Sequence, residues 1–126
     1  MNKLAIINSP IYPMITSLVK LFGLKTRGLG GKTFGSRILF RSTRINCFGI
    51  GNKIEIGDYC RFRNVLIEME GNNNTIHIGA GVMVYEHCYI SIKGDGCSIS
   101  IDDSTTIGDA SLFAEESHTS IRIGKD

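Results

Sequence analysis

An isoleucine pair separated by one residue and followed by Gly or Asp occurs four times: Ile54-Glu55-Ile56-Gly57, Ile76-His77-Ile78-Gly79, Ile99-Ser100-Ile101-Asp102 and Ile121-Arg122-Ile123-Gly124. The second isoleucines are 22, 23 and 22 residues apart. A β-branched unit this short cannot bury its own apolar face, so it must stack on copies of itself. The repeat therefore predicts an all-β solenoid, a parallel β-helix with Ile56, Ile78, Ile101 and Ile123 in one interior column.

A finer period of six runs through Ile78, Val84 and Ile90, through Ile101, Ile107 and Phe113, and through Ile56 and Phe62. Three hexads account for about 18 residues of each coil and leave a few for a protruding loop. Glu70 to Asn74, Lys93 to Gly96 and Ala114 to Ser117 are polar and turn-prone, as such loops require. The position four after an inward aliphatic residue is small at Cys60, Val82, Cys88, Thr105 and Ser111, which suits the corners of a narrow coil. Gly57, Gly79, Gly108 and Gly124 each follow an aliphatic residue, where a left-handed or tight backbone favours glycine, and Asp102 takes the same slot. One repeat further back stand Phe34 and Phe40, so the first coil is expected near residue 34, giving about four coils.

A chain of 126 residues accommodates one ordinary domain with appendages. Residues 34–126 are read as the β-helix and residues 1–33 as an amphipathic helix and linker. Ser9-Pro10 reads as an N-cap and first helical turn, Ile11, Met14, Ile15, Leu18, Leu21 and Phe22 make an apolar stripe, and Gly23 ends it. Such a helix caps the open end of a solenoid. Gly28-Leu29-Gly30-Gly31-Lys32-Thr33 is read as linker rather than a phosphate loop, because Thr26 stands where the first glycine is required.

The net charge of +2 conceals nine Lys or Arg and no acid in residues 1–54, against five basic and all twelve acidic residues afterwards. Anionic lipid, an acidic glycan and nucleic acid are the partners such a segment attracts, and residues 1–33 are the expected place of any peripheral membrane contact. Nucleic acid ranks last, since the basic third lacks interleaved aromatics. No apolar stretch reaches the roughly 20 residues needed to span a bilayer, and residues 1–7 are too short a run for a signal peptide. The expected location is the cytoplasm, extending to the inner face of the membrane. Cys47, Cys60, Cys88 and Cys97 form no C-x-x-C pair, so reduced structural thiols and no metal are expected.

The Ile-Gly hexads, the stretch Gly49-Ile50-Gly51-Asn52-Lys53-Ile54 and a short basic segment ahead of them resemble the left-handed β-helix hexapeptide-repeat acyltransferases, notably bacterial sugar and polysaccharide O-acetyltransferases. The likeness covers roughly residues 34–126. It implies a left-handed helix, a homotrimer, acetyl coenzyme A as donor, and a hydroxyl of a sugar or cell-surface polysaccharide as acceptor, with a histidine as general base. In the polysaccharide-modifying branch that histidine sits in an Asp-x-His motif, which these 126 residues do not contain. The expectation is therefore an acetyltransferase, or the N-terminal part of one without its catalytic coil. A non-catalytic β-helix scaffold or glycan-binding remnant is the alternative.

Of the three histidines, His77 lies between inward isoleucines and so points outward, and His87 sits at a corner beside Cys88, where a structural or interface role is expected. His118 is the candidate catalytic residue, because Glu116-x-His118 imitates an acid orienting an imidazole. The residues that bind coenzyme A are not legible.

Overall fold

The computed structural model describes residues 23–28 and 30–124, and throughout these the chain is a parallel β-solenoid. Three parallel sheets form its sides. Sheet 1 stacks β1 (Leu24–Arg27), β4 (Thr43–Cys47), β7 (Val65–Met69), β10 (Cys88–Ile92) and β13 (Ser111–Ala114). Sheet 2 stacks β2 (Gly31–Phe34), β5 (Lys53–Ile56), β8 (Thr75–Ile78), β11 (Ser98–Ile101) and β14 (Ser120–Ile123). Sheet 3 stacks β3 (Leu39–Arg41), β6 (Arg61–Arg63), β9 (Met83–Tyr85) and β12 (Thr106–Gly108). The chain visits the sheets in the order 1, 2, 3 and repeats, making about four coils. No helix among the described residues is long and apolar enough to cross a membrane.

Register is set by apolar columns. Phe34, Ile56, Ile78, Ile101 and Ile123 stack in line, as do Ile54, Ile76, Ile99 and Ile121. Full burial of each such side chain is worth about 1.5 to 3 kcal/mol as an upper figure. On sheet 3 the inward column is Phe40, Phe62, Val84 and Ile107, and the Phe40 and Phe62 rings stack at 5.4 Å. A one-residue slip would turn every one of these side chains outward, which is why the pairing is strict.

The period of six fails at one corner. From sheet 3 to sheet 1 the inward residues are five apart, Phe40 to Ile45, Phe62 to Ile67 and Ile107 to Leu112, because one residue with positive φ makes the turn: Ser42 (48°), Asn64 (55°) or Asp109 (49°). Leu112 therefore faces inward and Phe113, expected inside, lies 46% exposed on the outer surface. Ser111 likewise faces out, and Ala110 takes the small corner position packed against the core. Only the third coil keeps six, Val84 to Ile90, since two residues turn that corner: Glu86 (φ 65°) and His87 (φ 68°).

At Gly57 and Gly79 the recurring glycine has a different cause. Gly57 and Gly79 do not have positive φ; a Cβ on Gly57 would meet the Ala80 backbone nitrogen at 2.8 Å, and one on Gly79 would meet Asp103 Oδ1 at 2.2 Å. Close stacking, not left-handed backbone, excludes a side chain there. The left-handed residue comes two positions later, at Arg37, Tyr59, Gly81 and Ser104.

The segments expected to protrude between sheets 1 and 2 instead stack as a third corner. Asn74 is fully buried, donates to Glu70 O (3.1 Å) and Gly94 O (2.8 Å), and accepts from Cys97 N (2.8 Å). Asn52 does the same one coil earlier, donating to Phe48 O and Gly71 O and accepting from Asn74 N. Buried carbonyls and amides that a loop would otherwise orphan are thereby satisfied.

The solenoid begins before residue 34. β1 and β2 pair in register with β4 and β5, so Leu24 to Arg27 and Gly31 to Thr33, read as part of the helix and linker, belong to the first coil. Its repeat was hidden because Thr26 and Lys32 stand in line with the buried Ile45 and Ile54. The expected helix over residues 11–22 lies outside the described residues.

Candidate functional site

The three histidines occupy unlike places. His77 points outward from sheet 2, as its position between inward isoleucines requires, with Nδ1 3.9 Å from Glu55 Oε1. Both side chains are about half exposed, so water screens this pair. His118 is exposed at the corner from sheet 1 to sheet 2 with φ 64°, and its N–H donates to Asp95 O at 2.9 Å. The Glu116 carbonyl accepts from the Cys97 thiol and the Thr119 hydroxyl. Among the described residues no hydrogen bond joins the Glu116 carboxylate to the His118 ring.

His87 stands in the wall of a cavity. An open groove of about 660 Å³ runs along the corner between sheets 3 and 1, walled by Lys25, Ser42, Arg44, Asn64, Leu66 and His87. Each successive coil supplies part of the wall: Lys25 from β1, Ser42 and Arg44 around β4, Asn64 and Leu66 around β7, His87 before β10. Lys25 and Arg44 are in register on the outer face of sheet 1 and bring two cationic heads to one end. His87 closes the other end.

The extra corner residue places His87 there. A left-handed backbone costs about 1 to 2 kcal/mol at a non-glycine residue, and this corner holds two in succession where its counterparts hold one. Glu86 spends its carboxylate on Arg63 Nη2, and the Arg63 guanidinium also lies 5.8 Å from the Tyr85 ring centre. The pair is half exposed, so its contribution is small in energy. The 23-residue step between Ile78 and Ile101 is the trace of this insertion in the sequence.

A second polar cluster lies on the outer face of sheet 1. Glu68 accepts from the Tyr89 hydroxyl and, at 3.4 Å, from Asn46 Nδ2, and the Tyr89 and Phe113 rings meet edge to face at 5.3 Å. Acceptance by Glu68 pushes the Tyr89 phenol above its ordinary pKa. Asn46 Oδ1 is buried beside it without a hydrogen-bond partner among the described residues.

All four cysteines are buried and unpaired, as expected of structural thiols. Burial pushes Cys47, Cys60 and Cys88 above the usual thiol range, which suppresses the nucleophilic thiolate. No group of metal-ligating side chains occurs among the described residues. Comparisons with protein-family models, with curated proteins and with solved structures find no match.

Proposed function

We propose that this chain is an acyltransferase, or the N-terminal part of one, moving an acetyl group from coenzyme A to a hydroxyl of a sugar or cell-surface polysaccharide. The observation that carries the reading is the histidine-ended groove on a hexad-repeat solenoid. An imidazole beside an open, cation-lined trough has the parts such a transfer needs: a base for the acceptor hydroxyl and positive charge for a phosphate-bearing donor. Lys25 and Arg44 suit the donor's anionic groups, and coenzyme A, when bound, supplies the acyl thioester. His87 removes the hydroxyl proton as the acceptor oxygen attacks the thioester carbonyl, the C–S bond breaks as the C–O bond forms, and the imidazolium returns the proton to the leaving thiolate; the Asn64 amide and the Ser42 hydroxyl orient the sugar. The assembly expected from the family resemblance is a homotrimer in the cytoplasm or at the inner face of the membrane.

The test is thiol release from acetyl coenzyme A in the presence of a panel of saccharides. Wild-type protein is expected to release thiol only with acceptor, His87→Gln to lose about 10² to 10⁴ of the rate while remaining folded, and His118→Ala to keep it. Equal rates for His87→Gln and wild type would remove His87 from the chemistry. Sugar binding without any thiol release would favour the second reading, a non-catalytic glycan-binding scaffold. That reading draws on the sheet 1 cluster, where two aromatic rings flank a carboxylate and an amide that suit sugar hydroxyls.

A further inference from the structure

The outer surface of sheet 3 and its leading corner form a grid. The first coil contributes Arg37, Leu39 and Arg41, the second Tyr59, Arg61 and Arg63, the third Gly81, Met83 and Tyr85, and the fourth Ser104, Thr106 and Gly108. Four of the six positions in the first two coils are arginine, and none of the six in the last two is charged. Arg41 pairs in register with Arg63, and Arg61 follows Leu39 in the adjacent column. Strands are about 4.8 Å apart and alternate residues about 6.6 Å, so the guanidinium groups spring from a lattice on the scale of one sugar residue.

Like charges directly opposite on neighbouring strands are destabilising, and a fold has no need of them on a solvated face. Only Arg63 is answered, by Glu86; Arg37, Arg41 and Arg61 have no carboxylate partner among the described residues. The nearby Asp58 is occupied, its Oδ1 accepting from Ser36 N at 2.7 Å. Beside the arginines stand two exposed apolar side chains, Tyr59 at 61% and Leu39 at 46%. Planar guanidinium groups next to an exposed aromatic ring match a ligand that offers carboxylates and a flat, partly apolar ring together.

We propose that this arginine lattice binds an acidic polysaccharide, its uronate carboxylates held by Arg37, Arg41 and Arg61 and one sugar ring packed on Tyr59. The patch spans two coils and ends abruptly, which fits a few sugar units. It is small against the 6 to 10 or so phosphates that a nucleic-acid binder typically neutralises. The lattice also adjoins the groove, because Arg41 and Arg63 directly precede Ser42 and Asn64 in its wall. A polymer lying on the arginines thus leads toward His87. The inference does not rest on acyl transfer, since binding is measured without any donor.

The experiment is titration of the full chain with tetragalacturonate, with a neutral galactose tetramer and with a single-stranded oligonucleotide of similar charge. The uronate is expected to bind, the neutral tetramer not, and affinity is expected to fall as salt rises, as charge recognition requires. The triple variant Arg37→Gln/Arg41→Gln/Arg61→Gln should lose at least about tenfold in affinity with an unchanged circular dichroism spectrum, while Arg122→Gln on sheet 2 should lose none. If the triple variant does not fold, the single variant Arg61→Gln carries the test, with a loss of about threefold expected. No uronate binding by wild type, undiminished binding by the folded variants, or tighter binding of the oligonucleotide than of the uronate would each overturn the proposal.

Discussion

At the scale of single residues, stacking distance decides which substitutions the solenoid tolerates. Gly79 and Gly124 occupy the same slot of the repeat, yet a Cβ on Gly79 meets Asp103 Oδ1 at 2.2 Å and one on Gly124 finds its nearest neighbour, Asp102 Oδ2, at 4.0 Å. Gly79→Ala should therefore cost about 1 to 3 kcal/mol, and Gly124→Ala should lie within about 0.5 kcal/mol of wild type, both read from urea midpoints at constant slope. Tyr89 gives a residue-scale pH dependence. Its phenol is stabilised in the neutral, donating form by Glu68, so its folded pKa lies above the unfolded value of about 10. That stabilisation is fully present below pH of about 10 and is lost as pH rises through the folded pKa. Absorbance titration should show Tyr89 ionising above the ordinary tyrosine value, and Glu68→Gln should lower it.

At the scale of the element, the corner from sheet 3 to sheet 1 departs from its own repeat in the third coil. Ser42, Asn64 and Asp109 each turn it alone, which shows that one left-handed residue suffices. The second residue in the third coil adds strain and adds the groove's histidine, a combination that structure alone does not require. Deleting Glu86 should restore the shorter corner and leave a folded protein, with a melting temperature within a few degrees of wild type, while displacing His87 and with it the proposed acyl transfer. Deleting Ala80 from the corner between sheets 2 and 3 should be far more damaging. There the spacing from strand to strand is eight residues in all four coils, from Gly31 to Leu39 through Ser98 to Thr106, and Ala80 N donates to Asp103 at 2.8 Å. Circular dichroism melts of the two deletions distinguish these outcomes.

At the scale of the whole molecule, the solenoid is nearly one-dimensional, each coil held by the coils on either side. Ile101 is fully buried between Ile78 and Ile123, whereas Ile123 is only half-buried in the last strand described. Ile101→Ala is expected to cost about 3 to 5 kcal/mol and Ile123→Ala about 1, compared by urea denaturation. The sequence determined this much by itself: a repeat of 22 or 23 residues with paired isoleucines has no other way to bury its apolar face, so the solenoid, the outward direction of His77 and the structural character of the cysteines were legible in it. Where apolar residues were replaced, as at Thr26 and Lys32, the first coil escaped notice, because a column's register is carried by its neighbours as well as by its own side chains. Only the tertiary structure decided that Leu112 and not Phe113 turns inward, that Arg37, Arg41, Arg61 and Arg63 share one face, and that His87 meets a groove. Each of these depends on how many residues turn a corner and on which side chains from different coils then lie side by side, and neither is fixed by the spacing of isoleucines along the chain.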